Sequence, residues 1–114
     1  MQVRFSFAAI YPAEVVESAG ADGISEYIGT GPYKVSEWKQ DQYVKLEKNE
    51  DYQPSKDAST GIAGEKKAAT ETLYFEVVTD AATRIAGLQN GQYDIAEEIP
   101  ADNYEELSKD DITL

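Results

Sequence analysis

Residues 28–52 read IGTGPYKVSEWKQDQYVKLEKNEDY, and this stretch constrains the fold more tightly than the rest of the chain does. Gly29 and Gly31 allow backbone conformations that a side chain forbids, and Pro32 fixes the entry into the segment that follows. β-Branched and aromatic residues then alternate with polar ones in two runs separated by a short polar turn. This pattern predicts an antiparallel hairpin over residues 33–48 with one face in water.

The C-terminal half predicts a strand–helix–strand (βαβ) unit. TLYFEVV, residues 72–78, is apolar on both sides apart from one glutamate, which is typical of a central strand. An N-cap at Thr79 or Asp80 begins a helix. Tyr93–Ala96 then supplies a short strand, and such a unit has parallel strands joined by a right-handed crossover. A second helix, opened by Pro100, follows.

The remaining segments complete a single, partial domain of the α/β class, residues 1–114, with a mixed (α+β) sheet. YPAEVVESAG, residues 11–20, is typical of a short helix. Residues 49–72 are polar and rich in small side chains, which predicts a long polar loop. The sequence ITL at residues 112–114 is typical of the start of a strand, and a domain rarely stops there. We therefore expect the chain to be part of something longer.

The charge and the residue types of the chain exclude several classes of function. Its 114 residues carry a formal net charge of −12, so nucleic-acid phosphates and anionic lipids are repelled. Because the chain has no histidine and no cysteine, it lacks the usual metal ligand sets, catalytic triads and thiol chemistry. No glycine-rich stretch fits a nucleotide-binding fingerprint. We therefore expect no enzyme and no catalytic residues, no metal or other cofactor, and no nucleic-acid partner.

Acidic residues concentrate near the C-terminus, where seven acids and one lysine stand between Glu97 and Asp111. Glu97, Glu98 and Ile99 follow the strand expected at Tyr93–Ala96, and in open α/β sheets ligands gather beyond the carboxyl ends of the strands. Two interpretations remain open at this point. Either these acids are solvated loop residues, or they line a ligand cleft shared with a part of the protein outside this chain.

Three stretches resemble the extracellular solute-binding proteins of peptide-type ABC importers (family 5), which include dipeptide-, oligopeptide-, glutathione- and nickel-binding proteins. The stretches are GTGPYKVSEW, YVKLEKNEDY and VVTDAATRIAGLQNGQYDIAEEIP, at residues 29–38, 43–52 and 77–100. The order of these motifs is specific to the family, and the resemblance covers nearly the whole chain. The chain differs from the family in the segment at residues 53–72, QPSKDASTGIAGEKKAATET, which is longer than the link that family members commonly have at this point.

The resemblance implies a two-lobed periplasmic-binding-protein fold that closes on its ligand, with this chain as an internal segment of lobe I and with no catalysis. The whole protein would capture a peptide or similar small solute outside the cytoplasmic membrane and deliver it to the ABC permease. It would lie in the periplasm or at the outer face of the membrane, held there by a lipid anchor. The residues that the resemblance places at or near the ligand cleft are Glu97, Glu98, Ile99, Gly29, Thr30 and Gly31.

Two alternative functions compete with this interpretation. One is a solute-binding-like sensor module of a regulator, and the other is a free-standing acidic interaction domain. A segment cut out of lobe I leaves apolar surface bare where lobe contacts are severed, so that interpretation predicts self-association. The free-standing domain predicts a monomer without a large exposed apolar patch.

Overall fold

The computed structural model describes residues 10–21, 23–60, 63–110 and 112–113. The chain divides into two compact units, Met1–Phe75 and Glu76–Leu114. No helix among the described residues is long and apolar enough to cross a membrane. The first helix among the described residues of the first unit is the predicted short helix, α1, Ala13–Glu17, which follows Pro12 and buries Val15.

The predicted hairpin is confirmed. Strand β1, Tyr33–Lys39, pairs antiparallel with strand β2, Tyr43–Lys48. The turn between them places Asp41 at φ 59°, in the left-handed region that aspartate adopts more readily than most residues. Side chains on opposite sides of the paired strands give the hairpin two faces, as the sequence predicts.

A β-bulge in β1 places the large apolar side chains of the hairpin on one face. Val35 pairs with Leu46 and Trp38 pairs with Val44, and the register shifts between Val35 and Glu37. Residues three apart normally point to opposite faces of a strand, but the extra residue in the bulge returns Trp38 to the face of Val35. This apolar face is partly open, because Trp38 is 54% exposed.

The opposite face of the hairpin is polar and is organised by hydrogen bonds. The Tyr43 hydroxyl donates to Glu37 Oε2 at 2.8 Å, and this bond lowers the pKa of Glu37. Lys45 Nζ donates to Glu47 Oε1 at 2.7 Å, which raises the pKa of the lysine and lowers that of the glutamate. This is the face that the sequence predicts to lie in water.

The third strand, β3, Thr72–Glu76, is an edge strand among the residues that the structure describes, and in that part of the chain the predicted central strand is not found. β3 lies beside β2 in a three-stranded sheet of order β1-β2-β3. Within the described ranges, no strand pairs with its other side. Tyr74 and Phe75 are accordingly 56% and 58% exposed. The rings of Tyr43 and Tyr74 meet edge to face, with 5.7 Å between their centroids. This distance lies within the range of roughly 4.5–7 Å that is usual for aromatic pairs.

Two other predicted strands do not form. Tyr93–Ala96 is irregular, so the described part of the chain contains β3 and the helix of the predicted βαβ unit but not its second strand. Ile112 and Thr113 form no strand either, and Leu114 lies outside the described residues. The mixture of helices with an antiparallel hairpin is confirmed, but the sheet contains no parallel pair among the residues described.

The connection between β2 and β3 contains turns but no helix or strand among its described residues. Internal hydrogen bonds shape it, including that from the amide of Glu65 to the carbonyl oxygen of Asp57 at 2.9 Å. The Tyr33 hydroxyl fixes the end of the connection. It donates to the carbonyl oxygen of Thr70 at 3.1 Å and accepts from the Thr70 amide at 3.2 Å. These bonds attach the connection to the first residue of β1.

In the second unit, helix α2, Ala81–Gln89, begins at the predicted N-cap, Asp80. Asp80 Oδ1 accepts hydrogen bonds from the hydroxyl of Thr83 at 2.7 Å and from its amide at 2.8 Å. Both bonds favour the charged carboxylate, the hydroxyl bond most, and they lower the pKa of Asp80. After the helix, Gly91 adopts φ 77°, a conformation that suits glycine at a helix end.

The predicted helix at Pro100 forms in two short parts. A 3-10 turn, Ala101–Asn103, follows Pro100 and continues into α3, Tyr104–Leu107. Leu107 is fully buried, whereas Tyr104 is 47% exposed. Leu107 therefore supplies the anchor of this segment.

Candidate functional site

The predicted acidic site forms a surface loop of the second unit. Glu97 and Glu98 are exposed and Ile99 is half-buried. Glu98 adopts φ 54°, in the left-handed region that residues with a side chain rarely enter. Such a conformation persists when surrounding contacts hold it, and it occurs often at functional sites.

Arg84, on α2, makes the contacts that hold this loop. Its Nε donates to the carbonyl oxygen of Glu97 at 3.2 Å, and its Nη2 donates to that of Glu98 at 3.0 Å. Its Nη1 donates to the carbonyl oxygens of Val78 and Thr79, at 2.6 and 3.0 Å. The guanidinium of Arg84 therefore connects the segment that precedes α2 to the acidic loop at Glu97 and Glu98.

The role of Arg84 was not predicted from the sequence, in which this residue was included only as part of the family-like stretch at residues 77–100. The spacing of residues in α2 could have indicated that role. Arg84 lies three residues after Ala81 and four before Leu88, which is the spacing of the face that α2 packs inward. A single cation at such a position needs buried or backbone acceptors, and here the acceptors are carbonyl oxygens.

The carboxylates of the loop remain available to other molecules. Neither Glu97 nor Glu98 forms an ion pair within the described ranges. A cavity of ≈ 260 Å³ lies beside the loop in the second unit. Its lining includes Leu88, Asp94, Ile95, Glu98, Ile99 and Tyr104. The cavity thus combines apolar walls with acidic residues, and Glu97 is outside its lining.

The glycine turn predicted near the cleft lies in the first unit and is held by Asn49. The Asn49 side-chain amide donates to the carbonyl oxygen of Gly31 at 3.1 Å, and its backbone amide donates to that of Pro32 at 2.9 Å. Neither Gly29 nor Gly31 has a positive φ, so the turn does not use the left-handed conformations that these glycines allow. A Cβ at Gly29 would meet no atom within 4 Å.

A second cavity, of ≈ 710 Å³, lies beside this turn within the first unit. Gly29 lines it, together with Tyr27 and Trp38, whose rings meet edge to face at 5.2 Å between centroids. Thr30 and Gly31 are outside its lining. The predicted cleft residues therefore form two groups, Glu97–Ile99 in one unit and Gly29–Gly31 in the other.

The described residues contain no cluster of acidic side chains arranged to hold a metal ion. The side chains that line the two cavities include carboxylates, hydroxyls, a lysine and aromatic rings. Such groups bind polar solutes through hydrogen bonds and charge.

Comparisons with known proteins identify the family. Residues 2–113 match the family described as bacterial extracellular solute-binding proteins, family 5 Middle. The oligopeptide-binding protein AppA of Bacillus subtilis (strain 168) is 37% identical over 82 residues, which are 72% of this chain and 13% of AppA. The glutathione-binding protein GsiB of Salmonella paratyphi A (strain ATCC 9150 / SARB42) is 30% identical over 101 residues, 89% of this chain and 18% of GsiB.

Solved structures agree with the sequence matches. AppA from Bacillus subtilis in complex with a nonapeptide superimposes with a TM-score of 0.53 at 34% identity, over 71% of this chain and 14% of that protein. The periplasmic EDTA-binding protein EppA gives a TM-score of 0.60 at 25% identity, over 89% of this chain and 19% of EppA. The chain spans less than a fifth of the length of each of these relatives. On the family match over residues 2–113, this chain belongs to the bacterial extracellular solute-binding proteins of family 5.

Proposed function

We propose that this chain is part of lobe I of an ABC-importer solute-binding protein, which captures a peptide or similar small solute and delivers it to the membrane permease. The observation that carries the proposal is the Glu97–Ile99 loop in a chain of this family. The carboxylates of this loop face solvent without an ion-pair partner in the described ranges, while the Arg84 guanidinium donates hydrogen bonds to the backbone carbonyl oxygens of the loop. Such a loop presents charge without having to reorganise when a solute arrives.

The names of the relatives support a small polar solute. AppA is named for oligopeptides, GsiB for glutathione and EppA for EDTA. The family description supports a location outside the cytoplasmic membrane. We place the protein in the periplasm or, with a lipid anchor, at the outer face of that membrane. Its role there is binding and delivery, and no reaction is part of the proposal.

Closure around the solute explains why this chain alone should bind weakly. A two-lobed protein closes because the closed form contacts the solute from both sides, so the solute shifts the population towards it. This chain supplies one wall of that cleft. We expect it to bind a peptide no more tightly than about 1 mM, which corresponds to about 4 kcal/mol. The acidic loop favours cationic peptides over acidic ones.

An NMR titration tests the proposal. Two synthetic nonapeptides, one rich in lysine and one rich in glutamate, are added to the ¹⁵N-labelled chain. The lysine-rich peptide should shift the amide signals of Glu97, Glu98 and Ile99, with a smaller effect at Gly29–Gly31. The matched control replaces both glutamates by glutamine, which keeps the size of the side chains and should reduce the preference for lysine. Shifts elsewhere in the chain with none in the loop would contradict the site, and a micromolar constant would contradict the need for a second wall.

The proposal also includes self-association of the isolated chain through its exposed apolar side chains. Trp38, Tyr74, Phe75 and Val77 are each more than half exposed, at 54%, 56%, 58% and 57%. Burial of such side chains between copies is favourable by roughly 25 cal/mol for each Å² of apolar surface removed from water. Light scattering during size-exclusion chromatography tests this part, and a monomer at high micromolar concentration would contradict it.

A further inference from the structure

We infer that Arg84 is a positioning residue whose guanidinium sets the backbone conformation of Glu97 and Glu98 and thereby the direction of their carboxylates. The inference about conformation stands on the hydrogen bonds of the second unit. Its consequence for binding rests on the proposed function, in which the loop contacts the solute.

The geometry of the guanidinium explains the unusual backbone of Glu98. The Nε–H and one Nη2–H of an arginine point in parallel from one edge of the planar group. Here these two donors reach the carbonyl oxygens of consecutive residues, Glu97 and Glu98. In an extended strand, successive carbonyls point in opposite directions, whereas in helical conformations of either hand they point the same way. The φ of 54° at Glu98 takes the backbone out of the extended region and allows both carbonyls to face Arg84.

The other edge of the guanidinium fixes the arginine itself. Nη1 donates to the carbonyl oxygens of Val78 and Thr79, the residues that lead into α2. Arg84 therefore satisfies four carbonyl oxygens at once, two on each side of the helix in sequence. Hydrogen bonds from a charged donor are stronger than neutral ones, which allows them to hold a disfavoured φ.

Arg84 holds the loop without neutralising it. All four of its acceptors are backbone carbonyl oxygens, and within the described ranges it forms no ion pair with a carboxylate. The backbone of Glu97 and Glu98 is thus fixed without any ion pair between Arg84 and their carboxylates. A lysine at this position cannot do the same, because its ammonium is compact and lacks the planar fork.

The test compares the chain with its Arg84→Lys and Arg84→Ala variants by NMR. Scalar couplings and backbone shifts should show that Glu98 leaves the positive-φ region in both variants, while the Thr83 amide keeps the shift of a capped helix. Guanidinium chloride at millimolar concentration should restore the loop signals of Arg84→Ala, and equal ammonium chloride should not. A positive φ retained in Arg84→Lys, or equal rescue by the two salts, would overturn the inference.

A measurement on the unmodified chain decides the matter if Arg84→Ala does not fold. The Nε–H of Arg84 should exchange slowly with water and show scalar coupling across its hydrogen bond to the Glu97 carbonyl. Fast exchange without that coupling would overturn the inference.

The binding consequence is measured separately with the lysine-rich nonapeptide, whose affinity for Arg84→Lys should fall roughly tenfold. If the peptide shifts signals of the unmodified chain but none in the loop, the proposed contact between the loop and the solute fails, yet the φ of Glu98 still decides the role of Arg84. If peptide binds both proteins equally while φ changes, the binding consequence is wrong.

Discussion

Replacing Gly87 by alanine should destabilise the protein, although the same change in an open helix interior would stabilise it. Gly87 is the buried residue of α2. The ring of Tyr93 lies directly over it, so that an added Cβ would overlap the Cδ2 and Cε2 atoms of the ring. The Tyr93 amide also donates to the carbonyl oxygen of Gly87 at 3.1 Å, which keeps the ring close.

Two opposing terms set the size of the effect. Alanine is favoured over glycine in a helix interior by about 1 kcal/mol. Forcing a methyl group into a packed contact costs about 1–3 kcal/mol. The net loss for Gly87→Ala is therefore roughly 0–2 kcal/mol, and the coupling between positions 87 and 93 is roughly 1–3 kcal/mol.

A double-mutant cycle measures this coupling. Urea denaturation followed by far-UV circular dichroism gives the free energy of unfolding of the original chain, Gly87→Ala, Tyr93→Ala and the double variant. With the ring removed, Gly87→Ala should become stabilising by about 1 kcal/mol, so its effect reverses sign. If alanine stabilises equally in both backgrounds, the ring does not occupy the space above Gly87 and the reasoning is refuted.

Three further predictions concern separate parts of the fold. Leu107→Ala should lower the free energy of unfolding by about 2–5 kcal/mol because Leu107 is fully buried, and a loss no larger than that of the exposed control Ile95→Ala would contradict this. Because the pKa of Asp80 is lower in the folded than in the unfolded state, its carboxylate stabilises the fold above the unfolded pKa, and this stabilisation is lost as the pH falls through the folded pKa. Urea denaturation at a series of acid pH values should therefore show a smaller loss of stability for Asp80→Asn than for the original chain. Tyr33→Phe should speed hydrogen exchange at the Thr70 amide, which donates to the Tyr33 hydroxyl at 3.2 Å, and an unchanged rate would count against that anchor.

The features that the sequence predicts well depend on neighbouring residues. Alternation over residues 33–48 is enough to specify the hairpin, because each side chain needs only its cross-strand partner. The start of α2 is equally local, since the acceptor at Asp80 and its donor at Thr83 are three residues apart. The pattern therefore accounts for both elements apart from the bulge in β1, which the alternation does not predict.

The incorrect predictions concern residues whose neighbours are distant in sequence. TLYFEVV is apolar enough for a central strand, but a strand is central only if a second strand pairs with it, and Tyr93–Ala96 does not do so among the described residues. Tyr93 instead packs against Gly87. A periodic pattern cannot distinguish an aromatic residue of a strand from one that covers a helical glycine.

The sequence predicts which residues form the candidate site, but it does not predict the hydrogen bonds that hold them in place. The charges of Glu97 and Glu98 make their exposure predictable, and their position after the apolar YDIA segment directs attention to them. The hydrogen bonds of Arg84 to the loop span 13 and 14 residues and end on backbone oxygens, which carry no sequence signature. Whether this loop contacts a solute stays a prediction for the peptide titration.

The bulge in β1 makes Ser36 dispensable to the arrangement of the hairpin. Ser36 stands between Val35, opposite Leu46, and Glu37, opposite Lys45, and no residue of β2 lies directly opposite it. A shorter homologue lacking this serine would keep every cross-strand pair, and it would lose local twist and the side-chain hydrogen bond between Ser36 and Glu47. Sequence alignments of this hairpin should therefore accept a one-residue gap at position 36, whereas a gap at position 45 would send Val44 and Leu46 to opposite faces.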